Sequence, residues 1–216
     1  MTTTRIERDC LGTMEIPDDR YYGIQTSRMV KVSGCAHLPV IFYPGMHRAL
    51  FRIKKACALA NEEIGALKPE IARAIVEACD RALAGEFDKE FPLDMWQGGG
   101  YTCVNMNVNE VIGNAANEIF KGRKGQDAVH PNTHVNKAQS TNDTIPSAAH
   151  LAVAPELDRI IEGVEALGGG LQARRQGRPH LLAGRAPAHA RSGVRRLCRP
   201  DAASGRQAPC GASGML

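Results

Sequence analysis

The sequence lacks several features that would place it in other classes of protein. No apolar run of about 18 residues occurs, so no segment is predicted to span a membrane. Residues 1–9 contain no apolar stretch of the kind that signal peptides have, which favours a cytoplasmic protein. The seven cysteines include no Cys-x-x-Cys pair and are odd in number. Neither a disulfide framework nor a zinc site is therefore predicted.

The last part of the chain has an unusual composition. Residues 171–216 contain no lysine, isoleucine, phenylalanine, tyrosine or tryptophan, but nine arginines and one acidic residue, Asp201. Their net charge is +8, whereas residues 1–170 hold 18 basic and 22 acidic residues, a net charge of −4. A segment so poor in apolar side chains cannot offset its ordering entropy, so we predict that it is disordered. An arginine-rich tail can bind nucleic acid, but the absence of lysine and of stacking aromatic residues argues against that alternative.

The spacing of apolar residues predicts a mainly α fold. A first helix begins at Pro44 and ends near Gly65, and a second runs from Pro69 to Gly85, because apolar residues recur at intervals of three or four. Residues 1–42 have only weak periodicity, so turns and irregular chain are predicted there.

Two further helices follow. A third is predicted over residues 104–120 from its apolar stripe. A fourth begins near residue 141, because residues 140–143 are suitable N-cap residues. Its apolar stripe continues to Leu167, and Pro155 is expected to kink it.

Two polar loops precede the third and fourth helices, over residues 97–110 and 130–143. A helix N-terminus carries unpaired N–H donors and a partial positive charge, so it suits a carboxylate. Serine, threonine and asparagine side chains add neutral donors to such a site. The loops therefore indicate a site for a small polycarboxylate, with ordinary helix capping in polar loops as the alternative.

These loops and the segments before them resemble the signature regions of the aspartase/fumarase superfamily. The resemblance covers about residues 5–167, and its motifs are specific only in combination. They are Arg5-Ile6-Glu7-Arg8-Asp9, Tyr21-Tyr22-Gly23-Ile24-Gln25-Thr26, Phe91-Pro92-Leu93-Asp94, Asn105-Met106-Asn107-Val108-Asn109-Glu110 and Ser140-Thr141-Asn142-Asp143. The resemblance implies an N-terminal lyase domain in residues 1–140. Residues 141–170 would then begin the first long helix of a central helical bundle.

Within the superfamily, the loops resemble those of aspartate ammonia-lyases more than those of class II fumarases. The aspartase-like features are the double glycine at 98–99, His134 before Val-Asn, and the pair Ser140-Thr141. Tyr101 and Thr133 depart from the usual aspartase residues, which are glycine and aspartate. Fumarase therefore stays open as an alternative.

The resemblance implies a reaction and a set of binding residues. The reaction is elimination of ammonia from L-aspartate to give fumarate, with no cofactor and no metal. The residues implied to hold the substrate's carboxylates and amino group, or to position that site, are Thr102, Asn105, Ser140, Thr141 and Asn142. His130 and Asn132 match a secondary anion-binding loop of related fumarases, a weaker expectation because Thr133 replaces an acid.

The same resemblance predicts no catalytic residue in this chain. In the family, the base is a serine on a mobile Gly-Ser-Ser loop that has no counterpart here. The family's chains are more than twice as long and form homotetramers, in which subunits share each site. No nucleic-acid or membrane partner is predicted, and the ligand is a small dicarboxylate.

The tail also indicates a change of reading frame. The family continues with a segment such as Leu-Thr-Leu-Gly-Gln-Glu-Phe-Gly-Gly-Tyr-Ala-Ala-Gln-Met. Suitable GC-rich codons for that segment, read one base out of frame, give residues 188–201 as they stand. We therefore predict a frameshift near residues 168–175, an out-of-frame tail at 171–216 and an N-terminal fragment of the enzyme. The DNA sequence across codons 165–180 tests this prediction.

Overall fold

The computed structural model describes residues 3–34, 37–97 and 100–176, and most of them are helical, which confirms the mainly α fold. The predicted disorder of the tail falls on residues 177–216, outside the described residues, and on 171–176, which continue the last helix. The strands are β1 (Thr4–Asp9) and β2 (Gly12–Pro17), and the helices are α1 (Ile24–Val32), α2 (Pro44–Glu63), α3 (Pro69–Leu83), α4 (Thr102–Lys121) and α5 (Thr141–Gln176). Short 3-10 helices cover Val40–Phe42 and Asp88–Glu90, and a π-helical turn covers Pro131–Val135.

The prediction of irregular chain over residues 1–42 is wrong for the β-hairpin. Strands β1 and β2 pair antiparallel, with Thr4 opposite Pro17 and Asp9 opposite Gly12. The sequence pattern of β1 does not indicate a strand, because the side chain of Ile6 is exposed whereas that of Glu7 is buried. A strand that buries an acid and exposes an apolar residue does not show the usual alternation.

Helix α1 was missed for a related reason, because its capping groups come from distant parts of the chain. No residue beside its start caps it through a side chain. Instead, the Glu110 carboxylate on α4 accepts hydrogen bonds from the N–H groups of Gly23 (3.0 Å), Gln25 (2.8 Å) and Thr26 (3.0 Å), and from the Thr26 hydroxyl (2.6 Å). Glu7 accepts a further bond from the first N–H of α1, at 2.8 Å. These carboxylates satisfy N–H groups that a helix start leaves unpaired.

The three helices that were predicted between residues 44 and 121 are confirmed. Helix α2 ends before Gly65 and α3 before Gly85, and both glycines have positive φ, as helix-terminating glycines usually do. Helices α2, α3 and α4 pack around one apolar core. Its largest fully buried apolar side chains include Leu50, Phe51, Ile75, Phe87, Leu93, Val104 and Ile112. This core fixes the position of the N-terminus of α4.

Helix α5 begins at the predicted position and continues through Pro155 to Gln176. The chain divides into two units, residues 1–156 and 157–216, and the first contains the whole core. In the second unit, the described part is helical, and its apolar side chains at 157, 160, 161, 164 and 167 are exposed. None of the described helices combines the length and the apolar character that crossing a membrane requires.

Candidate functional site

The N-terminal ends of α4 and α5 meet at one hydrogen-bonded junction. Asn105, in the first turn of α4, is buried, and its Nδ2 donates to Thr141 Oγ1 at 3.1 Å. The same Nδ2 donates to Oδ1 of Asn136 at 3.2 Å. Thr141 is the first residue of α5 and is half-buried. The structure thus brings together the two loops in which the sequence predicts a carboxylate site.

Thr102 is the first residue of α4 and is exposed. The residue before it, Tyr101, has a φ of 61°, in the left-handed region, and its hydroxyl donates to the carbonyl of Met95 at 2.9 Å. Left-handed backbone favours glycine, so tyrosine is an uncommon residue in this conformation. The aromatic ring and its hydrogen bond anchor the turn that presents Thr102. Residues 98–99, which carry the aspartase-like double glycine, lie outside the described residues.

The start of α5 presents the Ser140-Thr141-Asn142 segment to the surface. Ser140 and Asn142 are exposed, and Ser140 Oγ accepts a hydrogen bond from the Asn142 N–H at 3.2 Å. The Ser140 carbonyl accepts bonds from the N–H groups of Asp143 (3.1 Å) and Thr144 (2.9 Å) and from the Thr144 hydroxyl (2.8 Å). Ser140 therefore acts as the N-cap, the alternative that the sequence left open. Its hydroxyl still lies beside Thr141, so capping and anion binding are compatible at this helix end.

A buried lysine is hydrogen-bonded to residues of the loop before α5. Lys54 on α2 has no exposed surface, and its Nζ donates to Asn136 Oδ1 at 2.9 Å and to Gln139 Oε1 at 2.8 Å. Burial lowers the pKa of Lys54 to about 7. Lys54 was not predicted as a site residue, although its position carries a signal. Lys54 stands four residues after Leu50 and four before Ala58, in the buried stripe of α2, where a charged residue is rarely found.

The predicted secondary anion loop forms a separate set of hydrogen bonds. His130 Nδ1 accepts from the N–H groups of Asn132 and Thr133, both at 3.2 Å, and the His130 N–H donates to Nδ1 of His134 at 2.9 Å. Burial, and then the neighbouring basic groups of His130, Lys137 and Lys68, lower the pKa of His134. The two N–H groups that an anion would use therefore point to the imidazole of His130. Asn132 is exposed, and these bonds do not connect it with the Asn105–Thr141 junction.

The chemistry of the junction is that of neutral donors. Its hydrogen bonds involve asparagine, glutamine and threonine side chains, with Lys54 behind them. Asn105 Oδ1 is buried and has no partner in the described part of the chain. Within residues 3–34, 37–97 and 100–176, no cluster of histidine, cysteine, aspartate or glutamate side chains could hold a metal ion. Such a set of groups can bind and orient an anion.

Comparison with known proteins identifies the family. A family model described as lyase matches residues 12–185, which include both loops and the junction. The chain belongs to this lyase family. It is 44% identical over 191 residues to a class II fumarate hydratase of Pseudomonas aeruginosa, covering 83% of this chain and 40% of the relative. It is also 44% identical over 168 residues to the aspartate ammonia-lyase of the same organism, covering 77% of this chain and 35% of that relative.

Solved structures of the family have the same fold. The native crystal structure of a fumarate lyase:delta crystallin protein from Brucella melitensis is 40% identical and matches with a TM-score of 0.74. The match covers 79% of this chain and 40% of that chain. This lyase chain therefore spans about 35–40% of the length of these two relatives and of this solved structure.

Proposed function

We propose that the full-length protein is an aspartate ammonia-lyase, which eliminates ammonia from L-aspartate to give fumarate. The observation that supports this function best is the hydrogen bond between Asn105 and Thr141. It joins two helix N-termini that carry neutral donors, and helix N-termini favour carboxylate groups. The substrate-binding residues of this proposal are Thr102, Asn105, Ser140, Thr141 and Asn142.

The arrangement of donors suits the charge that develops during such an elimination. A base removes a proton from the carbon next to the β-carboxylate, and the electron pair spreads into that carboxylate. The bond between carbon and nitrogen then breaks, and ammonia leaves. Hydroxyl and N–H donors that are already oriented stabilise the added charge without reorganisation. The residues of this chain would bind and orient the substrate, and the proton would be taken by a base outside it.

Aspartate is proposed as the substrate because of the loop sequences. The glycines at 98–99, His134 before Val-Asn and the Ser140-Thr141 pair are the aspartase-like features. Class II fumarase is the second candidate, because relatives of equal identity carry that name. A homotetramer, a cytoplasmic location and a secondary anion loop at His130 and Asn132 are further parts of the proposal.

The choice between the two activities can be tested in the full-length enzyme, obtained by restoring the predicted reading frame. We expect release of ammonia from L-aspartate together with fumarate, measured by an ammonia assay and by ultraviolet absorbance. Thr141→Val should reduce kcat/KM roughly 10²-fold to 10³-fold, because one donor to the developing charge is lost. Hydration of fumarate to malate without ammonia release from aspartate would instead identify a fumarase.

The 216-residue chain by itself is expected to produce no fumarate from L-aspartate. The proposed binding loops lie within it, but a base must come within hydrogen-bond distance of the substrate proton. The measurement is fumarate formation by the purified chain, with the full-length enzyme as the positive control. Turnover by the chain that Thr141→Val abolishes would show that a local group acts as the base.

A further inference from the structure

We propose that Lys54 is a positioning residue, which acts through Asn136 and Asn105 to keep the Thr141 hydroxyl as a hydrogen-bond donor toward the substrate carboxylate. This proposal deepens the proposed function and depends on it for the identity of the ligand. The four residues come from α2, the loop before α5, α4 and the start of α5. Their hydrogen bonds form one continuous chain from Lys54 to Thr141.

The first link fixes the orientation of Asn136. A lysine side chain donates hydrogen bonds, and Lys54 Nζ lies 2.9 Å from Asn136 Oδ1. The carboxamide oxygen of Asn136 must therefore face the lysine. Its Nδ2 faces the other way and donates to the Gln139 carbonyl at 3.2 Å. Both ends of this amide are thus defined by their partners.

The second link fixes the orientation of Asn105. Its Nδ2 donates to Asn136 Oδ1 at 3.2 Å. The opposite orientation would place two carboxamide oxygens against each other inside the protein, where unpaired polar groups are costly. Asn105 is buried, so water does not compete for these bonds. The lysine therefore determines the orientation of Asn105 although the two residues form no direct hydrogen bond.

The third link fixes the role of Thr141. The second hydrogen of Asn105 Nδ2 is donated to Thr141 Oγ1 at 3.1 Å. A threonine hydroxyl has one hydrogen to donate, and this bond uses its oxygen as an acceptor. The hydroxyl hydrogen therefore points away from Asn105 and is available to a ligand oxygen. A carboxylate accepts such a bond, and the N-terminus of α5 favours its charge.

The kinetic test uses Lys54→Met in the full-length enzyme. Methionine fills a similar volume and donates no hydrogen bond, so kcat should fall roughly 10²-fold with a smaller change in KM. Lys55→Met is the matched control, because Lys55 is the next residue on α2 and pairs with Asp80 near the surface. The control should keep its activity. Loss of activity in both variants, or in neither, would overturn the proposal.

A double-mutant cycle separates positioning from a general effect on folding. In an enzyme that already carries Thr141→Val, Lys54→Met should change kcat less than about threefold, because the hydroxyl that it orients is absent. Equal effects with and without the Thr141 hydroxyl would contradict the proposed relay, in which Lys54 acts on Thr141 through Asn136 and Asn105. If Lys54→Met does not fold, Asn136→Leu takes its place in the cycle. Asn136→Asp keeps an acceptor oxygen and should recover at least about tenfold of the activity lost in Asn136→Leu.

A third measurement does not depend on the reaction. In the isotope-labelled 216-residue chain, Lys54→Met should speed hydrogen exchange of the Asn105 side-chain amide at least about tenfold, whereas Lys55→Met should not. Unchanged exchange would overturn the relay even if the enzyme is an aspartase. If the enzyme proves to be a fumarase, the kinetic arms are run with fumarate hydration. These experiments therefore distinguish a wrong substrate assignment from a wrong assignment of the relay.

Discussion

Replacing Glu110 with alanine is expected to lower the free energy of unfolding by about 4 kcal/mol, one of the largest effects of any single substitution in this chain. The Glu110 side chain is fully buried on α4 and accepts four hydrogen bonds from residues 23–26. Alanine would leave those donors without a partner inside the protein, and each unsatisfied donor costs about 1–3 kcal/mol. The measurement is urea unfolding, combined with hydrogen exchange of residues 23–26. These amides should exchange faster than those of α3.

Two variants make that experiment specific. Glu118→Ala removes an acid from the same helix, but Glu118 is partly exposed and accepts a hydrogen bond from the Tyr21 hydroxyl at 2.7 Å. Its loss should cost only about 1 kcal/mol. Glu110→Gln keeps one acceptor oxygen and should lie between wild type and Glu110→Ala. If Glu110→Ala were no more harmful than Glu118→Ala, then Glu110 would not hold the start of α1.

The role of Glu110 also explains the glycine before α1. A Cβ atom on Gly23 would lie 2.7 Å from Glu7 Oε2 and 2.8 Å from Glu110 Oε1. Real side chains do not approach so closely, and both carboxylates are held by several hydrogen bonds. The requirement at this position is therefore space for two carboxylates. Three distant segments, β1, α1 and α4, meet at this one residue.

The parts of the fold that the sequence predicted are those with local causes. Helices α2 and α3 begin at prolines and end before glycines, and their apolar residues recur at helical spacing. The hairpin and α1 were missed because their polar groups are satisfied by distant residues. Glu7 is buried, and it accepts hydrogen bonds from α1, from Gln126 and from Arg5. Thr26 and Glu110 are 84 residues apart. Local sequence patterns cannot predict a helix cap from so distant a residue.

The candidate site was likewise predicted only in part. Polar residues before α4 and α5 indicated an anion site, and the contact between Asn105 and Thr141 is consistent with that prediction. The sequence could not indicate that Lys54 lies beneath these residues, because Lys54 precedes Asn136 by 82 positions. It also assigned His130 to a second anion loop without indicating that Nδ1 of this histidine already accepts two N–H groups. Roles that depend on orientation require the three-dimensional structure.

The stability of the protein should rise with pH because Lys54 is buried. Burial lowers the pKa of Lys54 to about 7, whereas its ordinary value is 10.5. Between these two values, the unfolded chain binds a proton that the folded chain does not bind. The free energy of unfolding therefore increases as the pH rises through this window. Below about pH 7 both states are protonated, and the lysine makes its full unfavourable contribution.

We expect this contribution to raise the free energy of unfolding by roughly 3 kcal/mol from about pH 6.5 to about pH 9.5. The measurement is urea unfolding of the wild type and of Lys54→Met at each pH. Burial raises the pKa values of Cys57 and Cys79, which opposes the trend, but both proteins contain these thiols. The difference between the two proteins therefore isolates the lysine. Lys55→Met should follow the wild type. A difference between the wild type and Lys54→Met that stays constant across this range would mean that Lys54 keeps its ordinary pKa in the folded protein.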